Sequence, residues 1–315
     1  YHATVFPLRH VSVPGLSLYD AIRQTIFESI KDRSLGGEPL ETLKWIAYEK
    51  WSGQCKQLPL FECPHCEQTV ATLPYDSDTG ACPRCGGDLY VTDMLGFHQV
   101  MSQDFAPDSV ASDYMGIHET LLLFTGIRIF WETNRTILDS CLFVKDGPLS
   151  IRAQYSKLVA PIRRFLAHAQ QLGHNVHILG QEKTGHFADH LELIAGSGPE
   201  QSYFLPDDVY IKERVQHRPV VGAAYGFDTN YGAKVFVKLS NYHQMILNIP
   251  TGSFLSTPSY QDLIGADRIF ATLPSLLSNR HEGALLPIEL AHGVASLSTY
   301  PSAQMLKLFA DQTVA

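Results

Sequence analysis

The sequence predicts an α/β protein with a mixed central sheet flanked by helices, and three observations lead to that prediction. Residues 142–149 and 175–179 read as short buried strands on either side of a helix over residues 152–172, and this order indicates a parallel pair with a right-handed crossover. Residues 233–240 and 242–249 are two further apolar runs rich in strand-forming residues, which indicates a hairpin. Most other apolar residues recur at helical spacing.

The N-terminal segment is predicted to hold a strand followed by a helix. Residues 4–13 are rich in strand formers, although Pro7 favours an edge strand or a bulge. Ser17 is placed to cap a helix that extends to about residue 31. The apolar residues that recur every four positions in this helix are Leu18, Ile22, Ile26 and Ile30. Further helices are predicted over residues 38–51, 112–138, 259–276 and 282–298, and the apolar helix over 112–138 is expected to be buried.

Composition excludes several classes of protein. Of the 315 residues, 45% are hydrophobic and 18% are charged, so disorder is not expected to be the main state. A membrane span is not expected, because the apolar stretch over residues 121–131 is too short and contains Arg128. The net charge of −8 argues against nucleic-acid binding through a basic surface alone. Contact with nucleic acid would need a metal-filled acidic site and a partner that supplies positive charge.

Four of the six cysteines form two closely spaced pairs. The pairs are Cys63-Pro-His-Cys66 and Cys82-Pro-Arg-Cys85. This spacing suits a tetrahedral Zn²⁺ site, and with all four positions filled the zinc is structural. The alternative is two disulfides, but the start of the chain does not read as a secretory signal and the remainder is not cysteine-dense. We therefore expect a zinc ribbon over residues 61–92, with inner strands at 59–62 and 89–92 and with His65 exposed and not a ligand.

The other two cysteines bear on the cellular compartment. Cys141 lies in an apolar run and is expected to be a buried small hydrophobic residue, and Cys55 is not part of either pair. Free thiols together with zinc indicate a reducing, cytoplasmic compartment.

The strongest indication of chemistry outside the cysteines is Asp146. It ends a buried strand, and Gly147 and Pro148 turn the chain immediately after it, so its carboxylate should face a crevice at the carboxyl edge of the sheet. The alternative is an ordinary Asp-Gly turn residue.

Two glutamates on the preceding apolar helix are candidates for a second carboxylate. Glu132 is flanked by aromatic residues and would be costly to bury unless it binds a cation or a base. Its alternative partners are Arg128 and Arg135 on the same helix. Glu119 lies on the same helix, thirteen residues earlier.

His292 lies in an apolar helix near the end of the chain, where a histidine can also be a hydrogen-bonded core residue. Two carboxylates and one histidine on separate elements would suit Mg²⁺ or Mn²⁺. Such a site could activate water for phosphodiester hydrolysis.

Several segments, taken in order, resemble the NurA family of nucleases. They are the helix with Glu132, the run 142–149 ending in Asp146-Gly147-Pro148-Leu149, Gly180-Gln181-Glu182-Lys183-Thr184, the strand residues 235–239, and Ala291-His292. The Asp-Gly-Pro-Leu strand end is the most specific of these, and the resemblance spans about residues 112–298. It implies an RNase H-like (Piwi-like) fold, a homodimer with a central channel, Mn²⁺-dependent cleavage of DNA, and partnership with a HerA-type hexameric ATPase that translocates DNA.

The resemblance also implies roles for individual residues. Asp146 matches the second aspartate of the family's acidic site, and His292 matches its late histidine. Glu132 matches the helical glutamate, although its distance of fourteen residues from Asp146 is short, which keeps Glu119 as the alternative. The family's first aspartate has no counterpart near Tyr1 and is expected upstream of it. Lys183 would steady a phosphate or is an ordinary surface lysine.

The sequence thus predicts a nuclease domain interrupted by the ribbon. Residues 1–60 form its N-terminal part, 61–92 the ribbon and 93–315 the remainder. The predicted function is Mn²⁺- or Mg²⁺-dependent DNA cleavage beside a HerA-type translocase, in DNA end processing or anti-phage defence. The ribbon would bind DNA, bind the translocase or only stabilise the inserted segment. The alternative is a catalytically silent subunit that clamps DNA or regulates the ATPase. The sequence leaves cleavage polarity, strand preference and the need for the ATPase open.

Overall fold

The structure is a computed structural model, and it describes residues 4, 6, 13–32, 38–58, 60–278, 280 and 283–296. The strand expected over residues 4–13 lies almost entirely outside the described residues. The chain divides into two compact units. As far as they are described, the first unit comprises Tyr1–Arg128 with Ile151–Pro161, and the second comprises Ile129–Ser150 with Ile162–Leu297.

The first unit begins with the predicted capped helix. Its helices and strands are α1 (Leu18–Ile30), α2 (Glu38–Ala47), β1 (Phe61–Glu62), β2 (Thr69–Ala71), β3 (Thr79–Ala81), β4 (Asp88–Tyr90) and α3 (Ser109–Thr133), whose last residues belong to the second unit. Ser17 caps α1, because its Oγ accepts a hydrogen bond from the backbone N–H of Asp20 at 3.1 Å. Ile22, Ile26 and Ile30 are buried, which confirms the predicted apolar face.

Two of the predicted helices in this part of the chain differ from expectation. Helix α2 ends at Ala47, and only a short 3₁₀ turn over Lys50–Ser52 follows. Helix α3 is not buried on all sides, since Met115, Leu122 and Ile129 are exposed. The expectation that this helix is buried therefore holds for only part of its apolar residues, such as Leu121, Phe124 and Ile127, because a continuous apolar composition does not show which sides of a helix are covered.

The cysteine pairs lie in the turns of two small antiparallel hairpins. Strand β1 pairs with β2, and β3 pairs with β4. The inner strand predicted at 89–92 is replaced after Tyr90 by a 3₁₀ helix over Val91–Leu95. The boundaries predicted for the ribbon as an insertion into a larger domain remain a prediction.

A buried ion pair fixes the segment that follows the second hairpin to α1. Arg23 donates from Nε to Asp93 Oδ1 at 3.0 Å and from Nη2 to Asp93 Oδ2 at 2.9 Å, and both side chains are 3% exposed. The same Nη2 donates to the carbonyl of Asp88 at 2.9 Å. This two-point geometry holds β4 and the 3₁₀ helix in one position relative to α1.

The second unit is built on one five-stranded mixed sheet. Its elements are β5 (Phe143–Asp146), α4 (Val159–Gln171, which starts in the first unit), β6 (Ile178–Glu182), α5 (His186–Ile194), β7 (Ser202–Phe204), α6 (Asp208–Tyr210), β8 (Gly232–Lys238), β9 (Gln244–Pro250), α7 (Ala266–Thr272) and α8 (Leu286–Ser296). The strand order is β5-β6-β9-β8-β7, with β5 and β6 parallel and all other neighbours antiparallel. The predicted parallel pair and the predicted hairpin of β8 and β9 are confirmed.

The two faces of this sheet carry separate apolar clusters. On one face, side chains of β6, β8 and β9 pack with α7 and α8; this cluster includes Leu179, Val235, Leu247, Ile269 and Ile288. On the other face, Phe236 and Ile246 pack with α5 and with the π-helical turn that follows α6. Successive residues of each strand alternate between these faces, as the pleat requires.

The mixed α/β class is therefore confirmed, whereas the RNase H-like arrangement remains a prediction. Strand β6 begins three residues later than predicted and continues through Glu182, so that Gly180, Gln181 and Glu182 lie inside the sheet. Helix α5 and strand β7 were not predicted. None of the helices in the described part of the chain has the length and apolar character needed to cross a bilayer.

The Arg23–Asp93 pair provides a test of the first unit. Asp93→Asn leaves the buried Arg23 guanidinium with only the part-exposed Asp20 carboxylate as counter-charge, so we expect the free energy of unfolding to fall by about 3 kcal/mol. Asp88→Asn is the control, because the side chain of Asp88 is exposed and Arg23 binds only its carbonyl; we expect a change below about 0.5 kcal/mol. Equilibrium urea unfolding of both variants measures the difference, and equal stability of the two would contradict the role of the pair.

Candidate functional site

Asp146 is the last residue of β5, at the carboxyl edge of the two parallel strands. It lies opposite Gln181 of β6, and the next residue, Gly147, donates its N–H to the carbonyl of Gln181 at 2.7 Å. Gly147 then adopts a left-handed conformation with φ of +104°, which a residue with a side chain rarely adopts. The Asp-Gly-Pro sequence therefore ends the strand and leaves the Asp146 carboxylate at its tip.

Each oxygen of the Asp146 carboxylate contacts one basic group. His292 Nε2, on α8, lies 2.8 Å from Oδ2. Lys183 Nζ, directly after β6, lies 3.0 Å from Oδ1. The exposed side-chain fractions are 44% for Asp146, 64% for His292 and 35% for Lys183. Ion pairs this exposed contribute little to stability, so the arrangement is better suited to binding a ligand than to holding the fold.

The close approach of the two strands depends on Gly180. A Cβ at this position would lie 2.7 Å from the carbonyl oxygen of Gly147 and 3.0 Å from Leu149 Cγ. The Gly147 carbonyl belongs to the backbone and cannot move away from such a contact as a flexible side chain can. A residue larger than glycine here would therefore push the Asp146 turn away from β6, and sequence reasoning did not identify this constraint.

Gln181 connects β6 to the helix that carries His292. Its side chain is buried, donates from Nε2 to the carbonyl of Gly283, and accepts at Oε1 from the N–H of Leu285 at 3.3 Å. Helix α8 begins one residue later, at Leu286. Gln181 therefore fixes the start of α8 beside Asp146. The sequence offered one sign of this role, a polar residue directly after a buried strand run.

Glu182 points to the opposite face of the sheet, where it belongs to a buried polar network. It forms an ion pair with Lys234 of β8 and accepts a hydrogen bond from Asn248 Nδ2 of β9 at 2.7 Å. Burial lowers the pKa of Lys234, and the Glu182 carboxylate opposes that shift. Both charges of this pair are satisfied, so Glu182 holds three strands together and is not a further ligand at Asp146.

The two helical glutamates do not complete the predicted acidic site. Glu132 and Glu119 are exposed on α3. Among the described residues, no group of three or more histidine, cysteine, aspartate or glutamate ligand atoms within 4.8 Å of one another includes Asp146, His292 or either glutamate. The structure thus brings together Asp146, His292 and Lys183, and Glu132 is not part of this group. Helix α3 ends one residue after Glu132, and a 3₁₀ segment over Arg135–Ser140 lies between it and β5.

A cleft of about 1180 Å³ adjoins this cluster. Glu182, Lys183 and His292 line it, together with residues of α5, of the β8–β9 hairpin, of the segment before α8 and of α8. Its apolar lining residues include Ala188, Leu191, Met245, Ile246, Leu290 and Val294. The volume exceeds that of a drug-sized ligand, so the cleft has room for an extended substrate.

A separate candidate metal centre lies in the ribbon. The Sγ atoms of Cys63, Cys66, Cys82 and Cys85 all lie within 4.8 Å of one another. Backbone N–H groups point at the sulfurs, with His65 N donating to Cys63 Sγ and Gly87 N to Cys85 Sγ, each at 3.4 Å. Burial raises the pKa of the Cys63 thiol, whereas hydrogen bonds from the backbone N–H groups of Cys85 and Arg84 lower that of Cys82.

The histidine inside the first cysteine pair is not part of the cluster. His65 is exposed, and its Nε2 lies 2.9 Å from the carbonyl oxygen of Asp88. This agrees with the expectation that only the four cysteines are placed as ligands.

Comparison with known proteins adds no relative. No family model matches the chain, and neither a curated protein nor a solved structure matches it.

The glycine in β6 allows a test of the site's construction. Gly180→Ala should lower the free energy of unfolding by about 1–3 kcal/mol, because the new methyl group collides with the Gly147 carbonyl. Gly116→Ala in α3 is the control, since a Cβ there meets no atom within 4 Å and alanine favours a helix. Urea unfolding compares the two. A Gly180→Ala protein as stable as the wild type would show that β5 and β6 do not approach this closely.

Proposed function

We propose that this chain is a metal-dependent DNA nuclease subunit similar to the NurA family. The observation that supports the proposal best is the meeting of Asp146, His292 and Lys183, from three separate elements, at the carboxyl edge of two parallel strands. Open sheets commonly bind ligands at that edge. The adjoining cleft has a volume of about 1180 Å³ and is lined by two of the three residues, Lys183 and His292.

The residues at this edge suit Mn²⁺ or Mg²⁺. Asp146 offers carboxylate oxygens, and His292 offers an imidazole nitrogen, which Mn²⁺ accepts as a ligand. Both side chains are open to solvent. Sites for these ions often use only one or two carboxylates and fill the remaining positions with water and substrate phosphate oxygens.

The residues of the site take distinct roles in this proposal. A bound divalent ion would polarise the phosphate and lower the pKa of the attacking water. The Asp146 carboxylate, at the end of β5, would bind the ion and offset part of its charge. His292 either completes the ligand set or donates a proton to the leaving oxygen, and its position 2.8 Å from Asp146 is compatible with both roles. Lys183 faces the cleft and is placed to contact a substrate phosphate.

The acidic charge of the chain suits a nuclease that does not capture DNA alone. With a net charge of −8, the long-range electrostatic interaction of the chain with DNA is weakly attractive or repulsive. A HerA-type hexameric ATPase that delivers DNA into the channel of a homodimer would remove that difficulty. A role in DNA end processing or anti-phage defence follows from the same resemblance and is proposed with it. The cytoplasmic compartment is proposed from the free thiols and the zinc site.

Asp146→Asn tests the proposed function directly. The substitution keeps the size of the side chain but removes the charge that a cation needs, so Mn²⁺-dependent cleavage should fall by at least about 100-fold. Stability should change by less than about 1 kcal/mol, because the two ion pairs that are lost are exposed. The measurement is digestion of labelled linear and single-stranded DNA with Mn²⁺, with and without EDTA.

Asp104→Asn is the matched control for this experiment, because Asp104 is an exposed aspartate outside the site. It should cleave like the wild type. A folded Asp146→Asn protein that cleaves normally would refute the proposed function. Absence of Mn²⁺-dependent cleavage by the wild type would favour the alternative of a silent DNA-clamping or ATPase-regulating subunit.

We further propose that the cysteine cluster holds one structural Zn²⁺ per chain. Four thiolates fill a tetrahedral shell, which leaves no position for a catalytic water. Metal analysis of protein purified without chelator should find one zinc per chain, and Cys63→Ser should lose it while Cys55→Ser, outside the cluster, retains it. Limited proteolysis of Cys63→Ser should cut within residues 61–92 and spare the five-stranded sheet. Zinc-free wild-type protein would contradict the proposal.

A further inference from the structure

The Asp146 carboxylate already has a positively charged partner. Lys183 Nζ lies 3.0 Å from Oδ1, and His292 Nε2 lies 2.8 Å from Oδ2, so both oxygens are engaged. A divalent cation that binds Asp146 needs a lone pair from one of these oxygens and repels an ammonium group close by. The Lys183 ammonium group and the cation cannot both bind the Asp146 carboxylate at full strength.

We propose that Lys183 is a built-in competitor of the divalent cation at Asp146, and that cation binding releases its ammonium group into the cleft. This inference rests on the proposed function and adds an order of events to it: the cation binds first, and only then is the lysine free to contact a phosphate. Lys183 is in this respect a positioning residue, because its first effect on the reaction passes through Asp146.

The surroundings of Lys183 allow such a movement. The backbone before it is fixed, since Glu182 pairs with β9 and its side chain binds Lys234 and Asn248. The residues after it are exposed, and Gly185 has no atom within 4 Å of the position of a Cβ. The lysine stem can therefore swing on a fixed base. Because Lys183 lines the cleft, the released ammonium faces the space proposed for the substrate.

If Lys183 competes with the cation, its removal should change the affinity for Mn²⁺, which activity measurements alone would not reveal. Removing the ammonium removes a unit charge within a few ångströms of a divalent ion, so Lys183→Met should bind Mn²⁺ about tenfold more tightly than the wild type. The gain should shrink at high salt, which screens exposed charges. Lys183→Arg keeps the charge and should bind Mn²⁺ much as the wild type does. If Lys183 only supported the fold, the Mn²⁺ affinity of Lys183→Met would not depend on salt in this way, and arginine would not restore the wild-type affinity.

The experiment titrates the full, zinc-loaded chain with Mn²⁺ and follows free Mn²⁺ by electron paramagnetic resonance at two salt concentrations. Asp146→Asn, alone and combined with Lys183→Met, identifies the signal that belongs to this site, and the added lysine substitution should have no effect there. Tighter binding by Lys183→Met alone supports the inference. Equal or weaker binding by Lys183→Met overturns it while leaving the proposed function standing. Absence of Asp146-dependent Mn²⁺ binding in both wild type and Lys183→Met overturns both.

Discussion

The parallel pairing of β5 with β6 is the constraint on which the candidate site depends. Because Gly180 has no side chain, the turn at Gly147 lies directly against β6, and Asp146 falls in register with Gln181. Strand β6 and the residue after it then supply three separate functions within four residues: close approach at Gly180, attachment of α8 through Gln181, and a charge beside Asp146 from Lys183. A shift of one residue in this register would turn these side chains to the wrong faces of the sheet.

The charged groups on the two faces of the sheet differ in burial. This difference distinguishes the groups that stabilise the fold from those suited to binding a ligand. On the α5 face, the Lys234–Glu182 pair is buried and further satisfied by Asn248, as a pair in a low-dielectric interior must be. On the edge next to α8, the Asp146 contacts are open to water and individually weak. Weak contacts can be exchanged for a ligand at small cost. The exposed cluster is therefore the one suited to binding and chemistry.

The sequence was informative where the decisive residues are close together in the chain. The apolar run before Asp146 and the Gly-Pro after it are enough to predict a strand end, and the two cysteine pairs are enough to predict a cluster of thiols. Gln181 could not be interpreted in this way, because its partner Gly283 lies 102 residues away. Glu132 was chosen for its aromatic neighbours and for the family resemblance, and neither determines whether the end of that helix meets a strand from another part of the fold.

The proposed function rests on the claim that Asp146 and His292 together hold a divalent cation, and anomalous diffraction from crystals soaked in Mn²⁺ would observe that cation directly. Data collected at the manganese edge should show a peak coordinated by the Asp146 carboxylate and by His292 Nε2, with Lys183 moved away from Asp146. The zinc proposed at the cysteine cluster serves as an internal reference at the zinc edge. A crystal with a clear zinc peak but no manganese at Asp146, at Mn²⁺ concentrations that support cleavage, would contradict the claim.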